Sequence, residues 1–359
     1  MVIGMNKYGV ILAGGGGTRF WPISRQELPK QFLNLTGSDL MVNETIDRLS
    51  EIVERKDIFI VTNEAQIPLM REAIQDRILP EHILSEPAAR NTSACIGYAA
   101  MEILKKYGDG IMCILPSDHY IKDTKAYDLL MKKAVAAAEK TGKLVTIGIK
   151  PTFASTGYGY IQFKKGNSQD WYEVVDFVEK PDIRTAKAYV KSGNFLWNSG
   201  MFVWKASTIL NYYKRLLPDI YRKLVKIGDA MNTEREQAVL QEVYPTIPKI
   251  SIDYGIMERA DQVVVLVGEF GWNDVGSWDA LQALYEPDEN GNIICGEQVH
   301  IDTRNCISYA QSRLIAALGV EDLIIVESDD AVLVCHKDKA QEVKHIVERL
   351  KEEGKERYL

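Results

Sequence analysis

The sequence predicts an α/β fold, a mainly parallel sheet buried on both faces, followed by a smaller β-rich segment that ends in a helix. Three features carry this expectation. Over the first half of the 359 residues, short runs that are apolar throughout alternate with stretches of helical periodicity. Strands without a polar face must be covered on both sides, and helices between them make parallel crossovers. After the turn-rich EPDENGN (286–292), the pattern becomes a train of short β runs broken by turn residues.

The elements follow in order. Strand-like runs are Tyr8–Ala13, Ile58–Thr62, Ile111–Pro116 and Leu144–Ile149, and helical patterns are Ile67–Ile78, Thr92–Tyr107 and Ala126–Glu139. In the second helix Ile96, Ala99, Ala100, Ile103 and Leu104 recur at helical spacing. The third closes on Thr141-Gly142, a C-cap signal. From about residue 158, YGYIQF, WYEVVDFVEK and GMFVWKA read as aromatic-rich antiparallel strands, and 206–243 as a long helical region. VVVLVGEFGWNDVGSW is a strand ending in an acidic, Gly- and Trp-rich loop, and Lys339–Lys351 is a charged amphipathic helix. The change of texture places a boundary near 287, giving expected domains 1–286 and 287–359. No long repeat or low-complexity segment is visible.

Composition narrows the function. Apolar residues at 46% and charged residues at 26% are ordinary for a soluble globular chain. A net charge of −7 argues against general nucleic-acid binding. It also means that an anionic ligand must be met by a local cluster of cations, helix N-termini or a metal. Five scattered cysteines without a CxxC pair read as reduced thiols, which fits a cytoplasmic protein, and five scattered histidines give no zinc constellation. MVIGMNK is not a signal peptide, no run approaches the ~20 apolar residues of a membrane span, and either Met1 or Met5 can be the start.

In a buried parallel sheet, ligands bind beyond the C-terminal ends of the strands. GGGGTR lies there after the first strand, SD after the third and TGYGY after the fourth. The run Gly14–Gly17 lacks the spacing of a Walker A loop or a dinucleotide fingerprint. It reads either as a structural turn or as a cradle whose backbone N–H groups meet phosphate, with the Arg19 guanidinium beside it. Arg25 and Lys30 follow closely, held by Pro22 and Pro29, though a solvated basic face would look the same. Asp118 and Asp274 each follow an apolar strand. Together they suit Mg²⁺, whereas either alone reads as a turn or capping aspartate.

Seven motifs in order make the reading specific. LAGGGGTRFWPISR with PKQF, SEPAARNT (85–92), LPSDH (115–119), TGYGYI (156–161), VEKP (178–181), NSGMF (198–202) and WNDVGSW (272–278) resemble those of the sugar-1-phosphate nucleotidyltransferases. The Trp-Pro and Pro-Lys-Gln-Phe pieces lean towards the mannose-1-phosphate guanylyltransferases, also called GDP-mannose pyrophosphorylases. The similarity runs from about 8 to 345.

The resemblance implies a Rossmann-like nucleotidyltransferase domain with a mixed, mainly parallel sheet. It also implies a small C-terminal β-rich domain akin to a short left-handed β-helix, ending in a helix. It further implies transfer of GMP from GTP to α-D-mannose 1-phosphate, giving GDP-mannose and pyrophosphate with Mg²⁺ as cofactor. The attacking phosphate oxygen is already ionised at pH 7, its second pKa being ~6, so no general base is required. The difficulty is repulsion, ~4 kcal/mol for two charges 4 Å apart at an effective dielectric of 20.

Arg19 and Lys30 are then expected on the phosphates, with Arg25 a weaker candidate, and Asp118 and Asp274 on the metal. Leu12, Ala13, Gly14, Gly15, Gly16, Gly17, Thr18, Arg19, Glu86, Asn91, Thr92, Ser117 and Asp118 are expected on the nucleotide. Gly159, Glu179, Lys180 and Asn198 are expected on the sugar phosphate. His119 is read as structural, because this chemistry moves no proton. Gly16 stands where many relatives carry a side chain, so one phosphate contact is missing there.

A homodimer is expected, and no phosphomannose isomerase activity, since the chain ends near 359. Two other readings stay open. One is a related transferase with another base or hexose. The other is a non-catalytic sugar-nucleotide sensor, which would be expected to lose Lys30, Asp118 or Asp274, all present here.

Overall fold

The structure, a computed structural model, describes residues 5–164 and 170–359; the candidate start Met1 lies outside the described residues. The chain forms two compact units. The larger holds the described residues up to Gly14, Thr45–Ser117 and Asp123–Trp272, and the smaller holds Gly15–Glu44, Asp118–Lys122 and Asn273–Leu359.

The larger unit is built on nine strands. They are β1 (Asn6–Leu12), β2 (Ile58–Asn63), β3 (Ile83–Glu86), β4 (Gly110–Pro116), β5 (Leu144–Ile149), β6 (Tyr160–Lys164), β7 (Tyr172–Val178), β8 (Phe195–Lys205) and β9 (Val263–Gly268). Their order is β3-β2-β1-β4-β8-β5-β9-β7-β6. β3, β2, β1 and β4 run parallel, as do β5 and β9. β8 lies antiparallel between β4 and β5, which makes the sheet mixed.

Helices α2 (Ile67–Ile74), α3 (Asn91–Lys106), α4 (Thr124–Thr141), α5 (Ile183–Ser192), α6 (Ala206–Leu216), α7 (Pro218–Ala230), α8 (Glu236–Val243) and the short α9 (Ile252–Gly255) complete it, together with the part of α1 (Met41–Ser50) from Thr45 onward. Tyr8, Val10, Met112, Ile114 and Trp204 share a core with Ile96 of α3, Tyr213 of α6, Leu224 of α7 and Leu240 of α8. α4 buries Tyr127, Met131 and Ala134 and packs on β4, β5, β8 and β9. The sheet is therefore covered by helices, as strands without a polar face require.

Several elements refine the sequence expectation. α1 is an addition, and its Val42, Ile46 and Leu49, at i, i+4 and i+7, are fully buried. α2 stops at Ile74, short of Ile78, because Gln75 takes a φ of 49°. α4 ends at Gly142 in the left-handed conformation, as Thr141-Gly142 predicts. The long helical region divides where Pro218 opens α7, a position at which its missing N–H is no loss.

The smaller unit contains β10 (Ile293–Cys295), β11 (Gln298–Ile301), β12 (Ile307–Ala310), β13 (Ile315–Leu318), β14 (Leu323–Glu327) and β15 (Val332–His336). β10, β12 and β14 pair in parallel, β11 pairs in parallel with β13, and β15 returns antiparallel to β14. Parallel neighbours are joined through a strand of the second sheet and not through a helix, so the chain coils. Ile293, Ile307 and Ile324 stack in register and are buried. Buried Asn292 satisfies the turn backbone, its Nδ2 donating to Thr303 O at 2.9 Å and its Oδ1 accepting from Cys306 N at 3.0 Å.

Helices α10 (Leu281–Leu284) and α11 (Val343–Glu352) pack here as well. The core of this unit joins Phe20, Trp21 and Leu35 to Trp278, Ile307, Ile324 and Val343. Trp278 Nε1 donates to Trp21 O at 3.0 Å, and Trp21 Nε1 donates to Tyr358 O at 2.8 Å. The segment after the glycine run is thus anchored to the C-terminal part of the chain. Among the described residues, no helix is long and apolar enough to cross a membrane.

Candidate active site

Within the smaller unit a cavity of about 340 Å³ is lined by Gly17, Thr18, Arg19, Lys30, Asp118, His119, Asp274, Gly276 and Lys344 among others. Lys30 is its anchor. Pro29 fixes the approach to a short turn, Lys30–Phe32, and the lysine is 4% exposed. Its ammonium donates to Asp118 Oδ2 at 2.9 Å and to the Asp274 carbonyl at 2.6 Å. One buried cation therefore ties together two positions separated by more than 150 residues in sequence, which satisfies the rule that buried charge is paired.

Gly17 explains how the loop reaches this lysine. Its φ is 60°, and a Cβ there would lie 2.4 Å from Lys30 Cβ and 2.8 Å from Lys30 N. At Gly15 and Gly16 a Cβ would meet no protein atom within 4 Å. Nothing in the protein requires glycine at those two positions, so the open space is available to a ligand.

Burial alone would raise the Asp118 carboxyl, but the Lys30 ammonium and His119 outweigh it and hold it below its ordinary value. Beside Asp274, buried Val275 is held at a φ of 47°, a costly conformation for a β-branched residue and one found where a site is over-determined. Among the described residues, neither Arg19 nor Lys344 has an ion-pair or hydrogen-bond partner, so both cations are available to an anion. Lys344 was not expected from sequence, where α11 reads only as a charged amphipathic helix.

Arg25 is taken elsewhere. Its Nε donates to Pro22 O at 2.7 Å, one Nη to Asp330 Oδ1 at 2.6 Å and the other to Tyr358 O. It braces the loop against the C-terminal segment and does not line the cavity.

The remaining candidates lie in the larger unit. Backbone groups of Leu12, Ala13 and Ser117 are used by the sheet: Ser117 N donates to Leu12 O at 3.1 Å and Ala13 N to Val61 O at 2.8 Å. Ala13 O also accepts from Thr62 Oγ1 at 2.9 Å. Gly14 lies against Glu86, whose Oε2 would be 3.3 Å from a Cβ. Glu86 closes β3, is buried, and accepts a hydrogen bond from the Tyr244 hydroxyl. Burial pushes its carboxyl up despite that bond. Asn91 opens α3 at a φ of 66° with its Oδ1 accepting from Thr92 N at 2.8 Å. Thr92 Oγ1 accepts from Ile252 N at 2.9 Å.

Ile252 leads to the second cluster. Asn198 N donates to Gly159 O at 2.8 Å, and Asn198 Nδ2 donates to Asp253 Oδ1 at 2.9 Å. Lys180 Nζ meets Glu179 Oε1 at 2.7 Å. A Cβ at Gly159 would fall 2.3 Å from Glu179 Oε2, so only glycine admits that carboxylate. The four expected sugar-phosphate residues are thus gathered, and α9 links them to Thr92. Asp253 is an addition; burial and then the Glu179 carboxylate push its carboxyl up to about 6. No local signal in SIDYG marks it, because its partner Asn198 is 55 residues away.

Residues 8–290 match the nucleotidyl transferase family model, and 296–350 match a mannose-phosphate isomerase/GMP-like β-helix domain. The chain is 42% identical over 347 residues to the xanthan biosynthesis protein XanB of Xanthomonas campestris pv. campestris, covering 96% of this chain and 73% of that one. It is 38% identical over 355 residues to the mannose-1-phosphate guanylyltransferase of Escherichia coli K12, covering 97% and 74%. A crystal structure from Thermus thermophilus, of a protein named mannose-1-phosphate geranyltransferase, superposes with a TM-score of 0.89 at 36% identity, covering 97% of this chain and all of that one. With the family model spanning most of the sequence and relatives aligned over almost all of this chain, the chain belongs to the nucleotidyl transferase family and is an enzyme of that type.

Proposed function

We propose that the protein transfers GMP from GTP to α-D-mannose 1-phosphate, yielding GDP-mannose and pyrophosphate. The observation that carries this is the cavity in which Lys30 joins Asp118 to Asp274 while Arg19 faces the same space. In a chain of net charge −7, such a local cation cluster is what a polyphosphate requires. The guanine and mannose assignments rest on the relatives named mannose-1-phosphate guanylyltransferase.

The sugar-phosphate oxygen forms a bond to the α-phosphorus. The bond from that phosphorus to the α–β bridging oxygen breaks, and its electron pair leaves on pyrophosphate. No proton moves. Gly15–Gly17 leave backbone amides open to the triphosphate, and Arg19 neutralises its charge. Lys30 holds Asp118 and the Asp274 backbone in place. Glu86 offers a carboxylate that can accept from guanine N1–H and N2–H₂. Glu179, Lys180, Asn198 and the Gly159 backbone take the sugar phosphate.

Asp118 and Asp274 fit Mg²⁺. The donors are carboxylate oxygens, and among the described residues no larger cluster of His, Cys, Asp or Glu surrounds them. A hard cation there would complete its shell with phosphate oxygens and water, the coordination Mg²⁺ prefers. Bound there, it would supply charge neutralisation at the reacting phosphates. By sequence the transferase part is 1–286 and the β-rich part 287–359. The reading extends to a cytoplasmic homodimer; a monomeric mass by light scattering contradicts the dimer.

Pyrophosphate release is the test, with GTP, ATP, UTP and dTTP each paired with mannose 1-phosphate and glucose 1-phosphate. GTP with mannose 1-phosphate is expected to be the best pair, and chelation is expected to stop turnover until Mg²⁺ is restored. A different best pair overturns the specificity, and full turnover in excess chelator overturns the metal.

A further inference from the structure

We propose that Lys344, on the C-terminal helix α11, contacts the phosphates that leave as pyrophosphate, so that the β-rich part of the chain takes part in the reaction. The inference rests on the nucleotidyl transfer proposed above and names a residue that reading does not include.

Three observations converge on it. Lys344 lines the same cavity as Arg19, Lys30, Asp118 and Asp274. Its place is fixed, because the preceding Val343 is 1% exposed in a core shared with Phe20, and α11 packs on the turn Thr18–Phe20 that carries Arg19. Its ammonium has no carboxylate partner among the described residues, although carboxylates are close along the chain. Lys339 pairs with Glu342, His345 with Glu348 and Arg349 with Glu353. Glu348, at i+4 from Lys344, is turned to His345 at 2.8 Å. A solvated surface lysine would have been free to take that partner.

The charge balance points to the leaving group. Lys30 is already committed to Asp118 and the Asp274 carbonyl. Arg19 and Lys344 are the cations left to meet an anion, and both stand at the turn that follows the glycine loop. When the α–β bond breaks, the electron pair and the added negative charge pass to pyrophosphate. A cation held there stabilises that charge more in the transition state than in the bound substrate, the condition for raising the rate.

Lys344→Ala, Lys344→Arg and Lys351→Ala are compared with the wild type in both directions, with pyrophosphate binding measured by calorimetry. Lys351 is on the same helix but lines a different cavity, so it controls for loss of net charge. A charge-assisted hydrogen bond is worth ~1.5–3 kcal/mol, on the order of ten- to a hundredfold. Lys344→Ala is expected to weaken pyrophosphate binding and raise its KM in the reverse reaction by that factor, leaving the KM for sugar phosphate unchanged. Lys344→Arg is expected to recover most of the loss, which separates charge from folding, and Lys351→Ala is expected to match the wild type. The proposal is overturned if Lys344→Ala binds pyrophosphate like the wild type, or if the sugar-phosphate KM rises instead. It is also overturned if Lys351→Ala loses as much. A wild type that releases no pyrophosphate from any pair sinks the functional reading and this inference with it. An active wild type with an unaffected Lys344→Ala sinks this inference alone.

Discussion

Replacing Lys30 by Met keeps a long, flexible apolar stem in the buried channel and removes only the ammonium. Two bonds are lost, 2.9 Å to Asp118 Oδ2 and 2.6 Å to the Asp274 carbonyl. The stability cost stays small because Asp118 is 35% exposed, so water and His119 take up part of its charge. We expect a loss of ~1–2 kcal/mol by urea titration. Activity should fall far more, on the order of 10²–10³ in kcat, because Asp118 and the Asp274 backbone lose the cation that holds them in the geometry the phosphates need.

The residual activity has its own signature. In the wild type, the lowered Asp118 carboxyl contributes stability above its ordinary value of 3.8, and this is lost as pH falls through the folded value. Without Lys30 the carboxyl loses the strongest influence that lowers it, rises relative to the wild type, and the acid limb of the rate–pH profile moves to higher pH. A variant within threefold of wild-type kcat refutes the assignment. So does a loss that disappears once the fraction folded is corrected for.

Gly17→Ala should cost ~1–2 kcal/mol of stability for the φ of 60° alone, and more because a Cβ 2.4 Å from Lys30 Cβ and 2.8 Å from Lys30 N displaces Lys30. Gly16→Ala meets no protein atom and should leave the unfolding midpoint unchanged while raising the KM for the nucleotide; equal effects of the two in both assays would contradict the loop reading. Asp253→Asn should match or exceed wild-type stability at pH 7, by an order of 1–3 kcal/mol. A carboxyl raised to about 6 from 3.8 destabilises the fold as pH rises through that interval, and the amide abolishes the slope there; a variant keeping the wild-type pH dependence shows the assignment to be wrong. Arg25→Ala should lower stability by ~1–2 kcal/mol, through its lost bonds to Pro22 O and Asp330, with kcat at 25 °C within twofold; a hundredfold loss of kcat would return Arg25 to the site.

Sequence by itself determined β1, β2, β4 and β5 of the first half, while the four-residue β3 (Ile83–Glu86) was too short to stand out as an apolar run. Continuous apolar runs are legible because a sheet buried on both faces admits little else, and Leu144–Ile149 is recovered to the residue. The ordered motifs likewise located Lys30, Asp118 and Asp274, since each follows a local signal, a proline or a strand end. Other features depend on long-range partners. The parallel coils of β10–β14 carry no sequence repeat, because short strands held by register and by Asn292 need no fixed period. Arg25 and Arg19 look alike six residues apart, yet one is drawn off by Tyr358 and Asp330 while the other faces the cavity. Asp253 and Lys344 read as ordinary charges on short helices until Asn198 and the turn Thr18–Phe20 are brought beside them. Only the tertiary structure decided which cations remain without a carboxylate, because pairing depends on which distant segments the buried cores bring within 3 Å.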